Sequence, residues 1–88
     1  MDNKMNSYHI GEITGSFGIK IAGLDVWFDE GELVYIIAEI FDEEDSDYIL
    51  WYFIMKPVSK DVLRINSDFV NVKSRGNVMR FSHFNESQ

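Results

Sequence analysis

The sequence has no cysteine and one proline among its 88 residues. Without cysteine the chain forms no disulfide, offers no thiolate ligand to a metal and has no cysteine nucleophile. Residues 1–7 are polar and lack the apolar core of a secretory signal. The longest apolar run, residues 48–55, is far shorter than the roughly 20 residues that a membrane helix needs. We therefore expect a cytoplasmic protein that does not contact a membrane.

Basic residues are also scarce, since the chain has 8 against 15 acidic ones and a formal net charge of −7. Residues 1–47 hold twelve of the fifteen acidic residues and two of the eight basic ones, whereas residues 48–88 hold three acidic and six basic residues. The two halves therefore carry opposite net charges. Nucleic acid is an unfavourable partner for such a chain, because both are polyanions.

Apolar residues recur at period two, and glycine-containing turn signals separate the runs. This pattern predicts an all-β fold, either a small antiparallel meander or an SH3-like, partly open barrel of five to six strands. The length fits a single domain over residues 1–88. We expect the ends, 1–6 and 85–88, to be frayed.

In the N-terminal part, residues 7–14 form the first predicted strand, and Gly15-Ser16 is predicted to be the hairpin loop that leads into the second. The apolar alternation of the second strand changes phase at Ala22-Gly23, which predicts a β-bulge. Asp29-Glu30-Gly31 is predicted to be a short hairpin loop with Gly31 in the left-handed conformation.

The most hydrophobic part is a predicted hairpin, 32–56, with strands 32–42 and 48–56 around the acidic loop 43–47. If the whole loop lies outside the ladder, Asp42 pairs with Tyr48. Both faces of this hairpin are apolar, and Glu39 stands alone among apolar neighbours. Such a hairpin must be covered on both sides, by a curled sheet or by a partner.

The C-terminal part leaves one choice open. Residues 59–66 could form one short helix with Ser59 as N-cap, or an irregular strand around 62–65. After them, 69–74 and 78–84 predict a last hairpin around 75–77. One face of that hairpin carries a small basic patch made of Lys73, Arg75 and Arg80.

No catalytic or metal-binding pattern is present. The acidic loop lacks the glycine and the spacing of an EF-hand, and His9 and His83 lack further ligands at metal-binding spacing. Glu39 could act as a general acid, but we favour an edge-facing or hydrogen-bonded residue. We therefore expect no enzyme activity, no metal and no cofactor.

The leading functional hypothesis is an inhibitor or immunity-type protein that binds a basic protein. Acidic residues at two hairpin tips would attract and block a nucleic-acid-handling enzyme, such as a toxin nuclease. Aromatic residues beside these tips would anchor the partner, although most aromatics of a small β domain belong to its core. The predicted contact residues are Asp29, Glu30, Glu32, Asp42, Glu43, Glu44, Asp45, Asp47, Trp27 and Trp51. The same acidic residues could instead be a solvated surface.

Two alternatives stay open. A homo-oligomer, in the simplest case a homodimer, would bury the apolar hairpin 32–56 against a second copy. Alternatively, Lys73, Arg75 and Arg80 of the C-terminal basic hairpin would bind nucleic acid, although the net charge opposes this.

Overall fold

The computed structural model describes residues 7–83, and these residues form β-strands and one short 3₁₀ helix. The predicted all-β class is confirmed. The elements are β1 (His9–Ile13), β2 (Phe17–Ile21), β3 (Leu24–Phe28), β4 (Leu33–Asp42), β5 (Asp45–Met55), β6 (Val62–Asn66), a 3₁₀ helix (Ser67–Phe69), β7 (Val70–Ser74) and β8 (Met79–His83).

Six strands form the main sheet, in the order β6-β5-β4-β1-β7, and β8 pairs with β4. β1 lies antiparallel to the first half of β4, from Leu33 to Ile36, and β8 lies parallel to the second half, from Ala38 to Asp42. Between β7 and β8 the chain therefore shifts by one strand position. β7 lies beside β1, whereas β8 lies beside β4 and takes the place next to β4 that β1 leaves free. We call residues 75–78, which make this step, the crossing segment.

β4 contains a bulge that decides which side chains face the core. Ile36 pairs with Ile54 but Ala38 pairs with Phe53, so Ile37 is an extra residue. The extra residue resets the alternation, and Glu39, opposite Tyr52, points to the same face as Ile36. We call this the inner face of the sheet.

The hairpin of β2 and β3 covers the apolar end of the inner face. Phe17, Ile19 and Val26 pack against the core, and Phe28 is fully buried within it. The rings of Phe17 and Phe28 stack with centroids 5.0 Å apart. The buried core consists of Ile13, Phe28, Val34, Ile36, Tyr52, Ile54, Leu63, Ile65 and Val70.

Two of the predicted N-terminal connections are wrong. β1 pairs with β4 and β7 rather than with β2, so Gly15-Ser16 carries the chain from the main sheet to the hairpin above it. Ala22-Gly23 is a tight turn between β2 and β3 rather than a bulge, because Ile21 pairs with Leu24 and both turn residues have positive φ. A two-residue turn shifts the phase of an apolar pattern just as a bulge does, which explains the error.

The acidic turns differ less from the prediction. Gly31 has the expected positive φ of 88°, although the strands on either side of this turn belong to different sheets. In the second turn, Asp42 pairs with Asp45 rather than with Tyr48, so the loop is two residues long. The predicted register holds where Phe41 pairs with Ile49, Ile36 with Ile54 and Tyr35 with Met55. Bulges shift the pairs from Ala38 to Ile40 and the pair of Asp42.

The predicted C-terminal hairpin does not form. β7 pairs with β1 and β8 pairs with β4, so the basic patch is not on a hairpin. The commonest two-residue hairpin loops use positive φ, and none of the positive-φ residues in the described chain lies at 75–77. The backbone N–H of Gly76 instead donates to the His9 ring, 3.0 Å away.

Residues 62–66 are a strand, so the strand alternative for this segment is correct and the helix is not. Leu63 and Ile65 alternate into the core with period two. Lys60, with φ of 64°, has a left-handed backbone that interrupts any right-handed helix at this point.

Within residues 7–83 no helix has the length and hydropathy that crossing a membrane requires. The expectation that 1–6 and 85–88 are frayed falls outside the residues that the structure describes.

Candidate functional site

A buried polar cluster joins three strands at the end of the inner face that β2 and β3 leave open. His9 Nε2 lies 2.8 Å from Glu39 Oε2, and Arg80 Nε donates to Glu39 Oε1 at 3.0 Å. His9 and Glu39 are only 4% and 5% exposed. Both contacts are short enough for strong hydrogen bonds to the Glu39 carboxylate. The cluster therefore links β1, β4 and β8.

The hydrogen bonds of His9 fix its tautomer. Nδ1 accepts from the backbone N–H of Gly76 at 3.0 Å, so the ring proton is on Nε2 and is donated to Glu39. Both ring nitrogens of His9 and both carboxylate oxygens of Glu39 are therefore engaged. Each of these four atoms has a hydrogen-bond partner within the fold, and the contacts hold the two side chains in place.

The cluster forms the floor of an open pocket of about 390 Å³, which we call the crossing pocket. Tyr52 lies in it and is 7% exposed. Burial, and then the charge of Glu39, raise the pKa of the Tyr52 phenol above its ordinary value, and the charge of Arg75 opposes this. The pocket is lined by His9, Glu39, Ser46, Asp47, Ile49, Tyr52, Arg75, Gly76, Asn77, Val78 and Arg80.

The acidic turn between β4 and β5, residues 42–47, lies at the rim of this pocket; we call it the acidic tip. Asp42 Oδ1 accepts from Glu44 N and Asp45 Oδ1 accepts from Asp47 N, at 3.0 and 3.1 Å. Among the described residues, no ion pair involves the side chains of this tip. Arg80 Nη2 donates to the backbone carbonyl of Ser46 at 2.8 Å, so one cation lies beside the tip, while Glu43, Glu44 and Asp45 are exposed.

The other predicted acidic tip, residues 29–32, lies at the opposite end of β4. β4 has 10 residues, which corresponds to about 30 Å at about 3.3 Å per residue. Glu32 pairs with Lys56 at 3.0 Å, and Asp29 accepts from the Trp27 indole at 2.9 Å. The two tips do not form one surface, and in the second tip Asp29 and Glu32 stabilise the fold, while Glu30 is exposed.

The two tryptophans also lie apart. Trp27 is on the outside of the β2–β3 hairpin, 58% exposed, and covers Gly18. Trp51 is half-buried under the guanidinium group of Arg64, which lies 4.5 Å from its ring centroid. Among the described residues, no hydrogen bond joins either tryptophan to the acidic tip.

The predicted basic patch is divided among different environments. Lys73 pairs with Glu12 at 3.3 Å, Arg80 is held by Glu39, and Arg75 lines the crossing pocket. Because two of these three cations are compensated by carboxylates, the patch does not present a continuous positive surface.

On the opposite, outer face of the sheet lies an open, mainly apolar groove of about 600 Å³, the outer groove. Met79 and Phe53, both paired with Ala38, point to this face, and Met79 is 62% exposed. The groove is lined by Ser7, Ile37, Ala38, Phe53, Val62, Asn77, Val78 and Met79.

The sequence pattern singled out Glu39, with a hydrogen-bonded side chain as one of two options, but it did not predict the partners. One of these partners, His9, is buried. His9 and Arg80 lie 30 and 41 positions from Glu39 along the chain, so only the strand order could bring them together. The one available signal was the isolated carboxylate on an apolar strand, which needs buried donors.

Among residues 7–83 no group of three or more histidine, aspartate or glutamate side chains is arranged to hold a metal ion. No protein-family model, no curated protein and no solved structure significantly matches this chain.

Proposed function

We propose that this protein is a small protein-binding module that contacts a basic protein through the outer groove and the acidic tip. The observation that carries the proposal is the outer groove itself, an apolar concave surface about 600 Å³ in volume on a domain of 88 residues. Contiguous exposed apolar surface on a small protein marks interaction sites.

The side chains around the groove suit an interface. Methionine is flexible and polarisable, so the exposed Met79 can adapt to an apolar side chain of the partner. Phe81, on the same face of β8 and 46% exposed, adds an aromatic contact. These residues would form the desolvated centre of the interface.

The charge of the acidic tip indicates a partner with positive charge. The carboxylates of the acidic tip have no internal ion pairs among the described residues, and the chain carries a formal charge of −7. Such a field accelerates association with a positive protein. The partner would therefore carry an apolar anchor flanked by lysine or arginine.

In this proposal the protein acts in the cytoplasm as an inhibitor or immunity-type antagonist, and a nucleic-acid-handling enzyme is its natural target. The acidic tip would occupy the phosphate-binding surface of that enzyme while the groove holds it in place. Only one acidic tip supports this contact, because Asp29 and Glu32 at the other tip are engaged internally.

The test compares three variants in affinity capture of tagged protein from nuclease-treated lysate of the source organism. Glu43→Lys with Glu44→Lys reverses charge at the tip without removing the aspartates that fix its turn. Met79→Asp places a charge in the groove. Both should lose a basic protein that the parent chain retains.

Asp25→Lys with Asp68→Lys is the matched control, because it makes the same charge change at exposed positions away from the groove. The control should retain the partner, and folding of each variant is checked by circular dichroism. Partner retention by the Met79→Asp variant would refute the proposed interface.

A further inference from the structure

The crossing pocket lies on the other side of the crossing segment from the outer groove, and its chemistry is different. Gly76, Asn77 and Val78 border it, and Val78 also borders the groove. His9 and Glu39 already bond to each other, to Gly76 and to Arg80, which leaves the other lining groups as the first candidates to recognise a ligand.

Arg75 and Tyr52 are donors in the pocket that a ligand could engage. Arg75 makes no ion pair among the described residues, and it lines the same pocket as Tyr52. The Tyr52 side chain is buried, and none of the hydrogen bonds between described residues involves its hydroxyl group. A guanidinium group beside a phenolic hydroxyl is suited to binding a carboxylate.

The charged and apolar residues around Arg75 and Tyr52 restrict which ligands can present that carboxylate. Arg75 and Arg80 are balanced in the pocket by Glu39 and Asp47, and the acidic tip adds negative charge at its rim. A simple anion, and above all a dianion, is repelled by this field. A carboxylate accompanied by cationic groups satisfies both signs, and Ile49 and Val78 offer an apolar wall to the side chain beside it.

We propose that the crossing pocket binds a carboxylate borne by a basic ligand, such as the free C-terminus of a basic polypeptide. Its carboxylate pairs with Arg75 and Tyr52, its cationic side chains lie against Asp47 and the acidic tip, and its last side chain contacts Ile49. This inference rests on the proposed basic partner and adds the part of the partner that is recognised.

The experiment is an NMR titration of the full-length, ¹⁵N-labelled protein with the peptide N-acetyl-Lys-Lys-Leu, carrying either a free carboxylate or a C-terminal amide. The free acid should perturb the amide signals of Gly76 and Ile49 and bind about ten-fold more tightly than the amide. Free L-arginine is a second probe, and saturable shifts at the same residues would extend the site to amino acids.

Arg75→Gln should remove the preference for the free acid, and Arg64→Gln, the same change at an arginine outside the pocket, should preserve it. Equal binding of acid and amide by the parent protein, or an unchanged preference in Arg75→Gln, would overturn the inference. Capture of a basic protein that depends on Met79 and the tip would still support the proposed function in that case.

Discussion

At the scale of single residues, Gly11 shows how closely the sheet is packed. A Cβ atom at this position would lie 2.6 Å from Val70 Cγ1 and 2.8 Å from Ile36 Cδ1, and both side chains are buried. We expect Gly11→Ala to lower the free energy of unfolding by about 1–3 kcal/mol, because overpacking forces core side chains from their rotamers. Urea denaturation followed by tryptophan fluorescence measures this loss.

Gly15→Ala is the matched control, since a Cβ atom there meets no other atom within 4 Å. It should change stability by less than about 0.5 kcal/mol. Similar losses in both variants would mean that backbone freedom, rather than packing against Val70 and Ile36, explains the effect at Gly11.

Because of Tyr52, we expect the free energy of unfolding to depend on pH in the alkaline range. Its pKa is raised above 10.0 by burial and by Glu39, so the folded state holds the phenolic proton more tightly than the unfolded state. This contribution to stability is complete below pH 10 and is lost as pH rises through the folded-state pKa. Unfolding free energies measured at increasing pH should therefore fall less steeply in Tyr52→Phe than in the parent chain.

Tyr48→Phe supplies the comparison, because Tyr48 is 57% exposed and its replacement should leave the parent slope unchanged. Identical slopes for the Tyr52→Phe variant and the parent chain would contradict the prediction.

At the scale of elements, the sequence defined strands well and their pairing poorly. Period-two alternation located β4 and β5, and it marked Glu39 as the isolated carboxylate within β4, because each strand's pattern is local. The pairing of β1 with β4 and β7, and of β8 with β4, depends on contacts between distant segments. Adjacent strands with glycine between them favour a hairpin. Here the chain leaves the main sheet after β1, and after β7 it moves to another position in the same sheet.

The crossing segment depends on His9 in a way that can be measured. In His9→Leu, the Gly76 N–H loses its acceptor and Glu39 loses a donor, and each buried polar group left unpaired costs about 1–3 kcal/mol. We expect faster hydrogen exchange at the backbone amides of Gly76 and β8, together with lower stability.

His9→Gln should recover part of both effects, because an amide side chain offers an acceptor and a donor at similar reach. Unchanged exchange in β8 of the His9→Leu variant would show that pairing with β4 alone holds that strand.

At the scale of the whole molecule, the charge halves seen in the sequence do not become two separate faces. Cations of the chain reach carboxylates across the fold: Lys56 pairs with Glu32, Lys73 with Glu12 and Arg80 with Glu39. This internal pairing neutralises much of the positive charge, and none of these three ion pairs involves a carboxylate of the acidic tip. The candidate surface is therefore the part of the charge pattern that folding does not neutralise, which could not be deduced before the strand order was known.

This distribution predicts how self-association responds to salt. Two copies each carry a formal charge of −7, and any contact through the apolar outer groove is opposed by repulsion that salt screens. Light scattering should show a monomer at low ionic strength and, if association occurs, a larger mass as sodium chloride is added. A dimer held by the acidic half of one copy and basic residues of another would respond in the opposite way, dissociating as salt rises. That second outcome would mean that Lys73 and Arg80 leave their internal carboxylates to pair with another chain, and it would refute the internal compensation argued here.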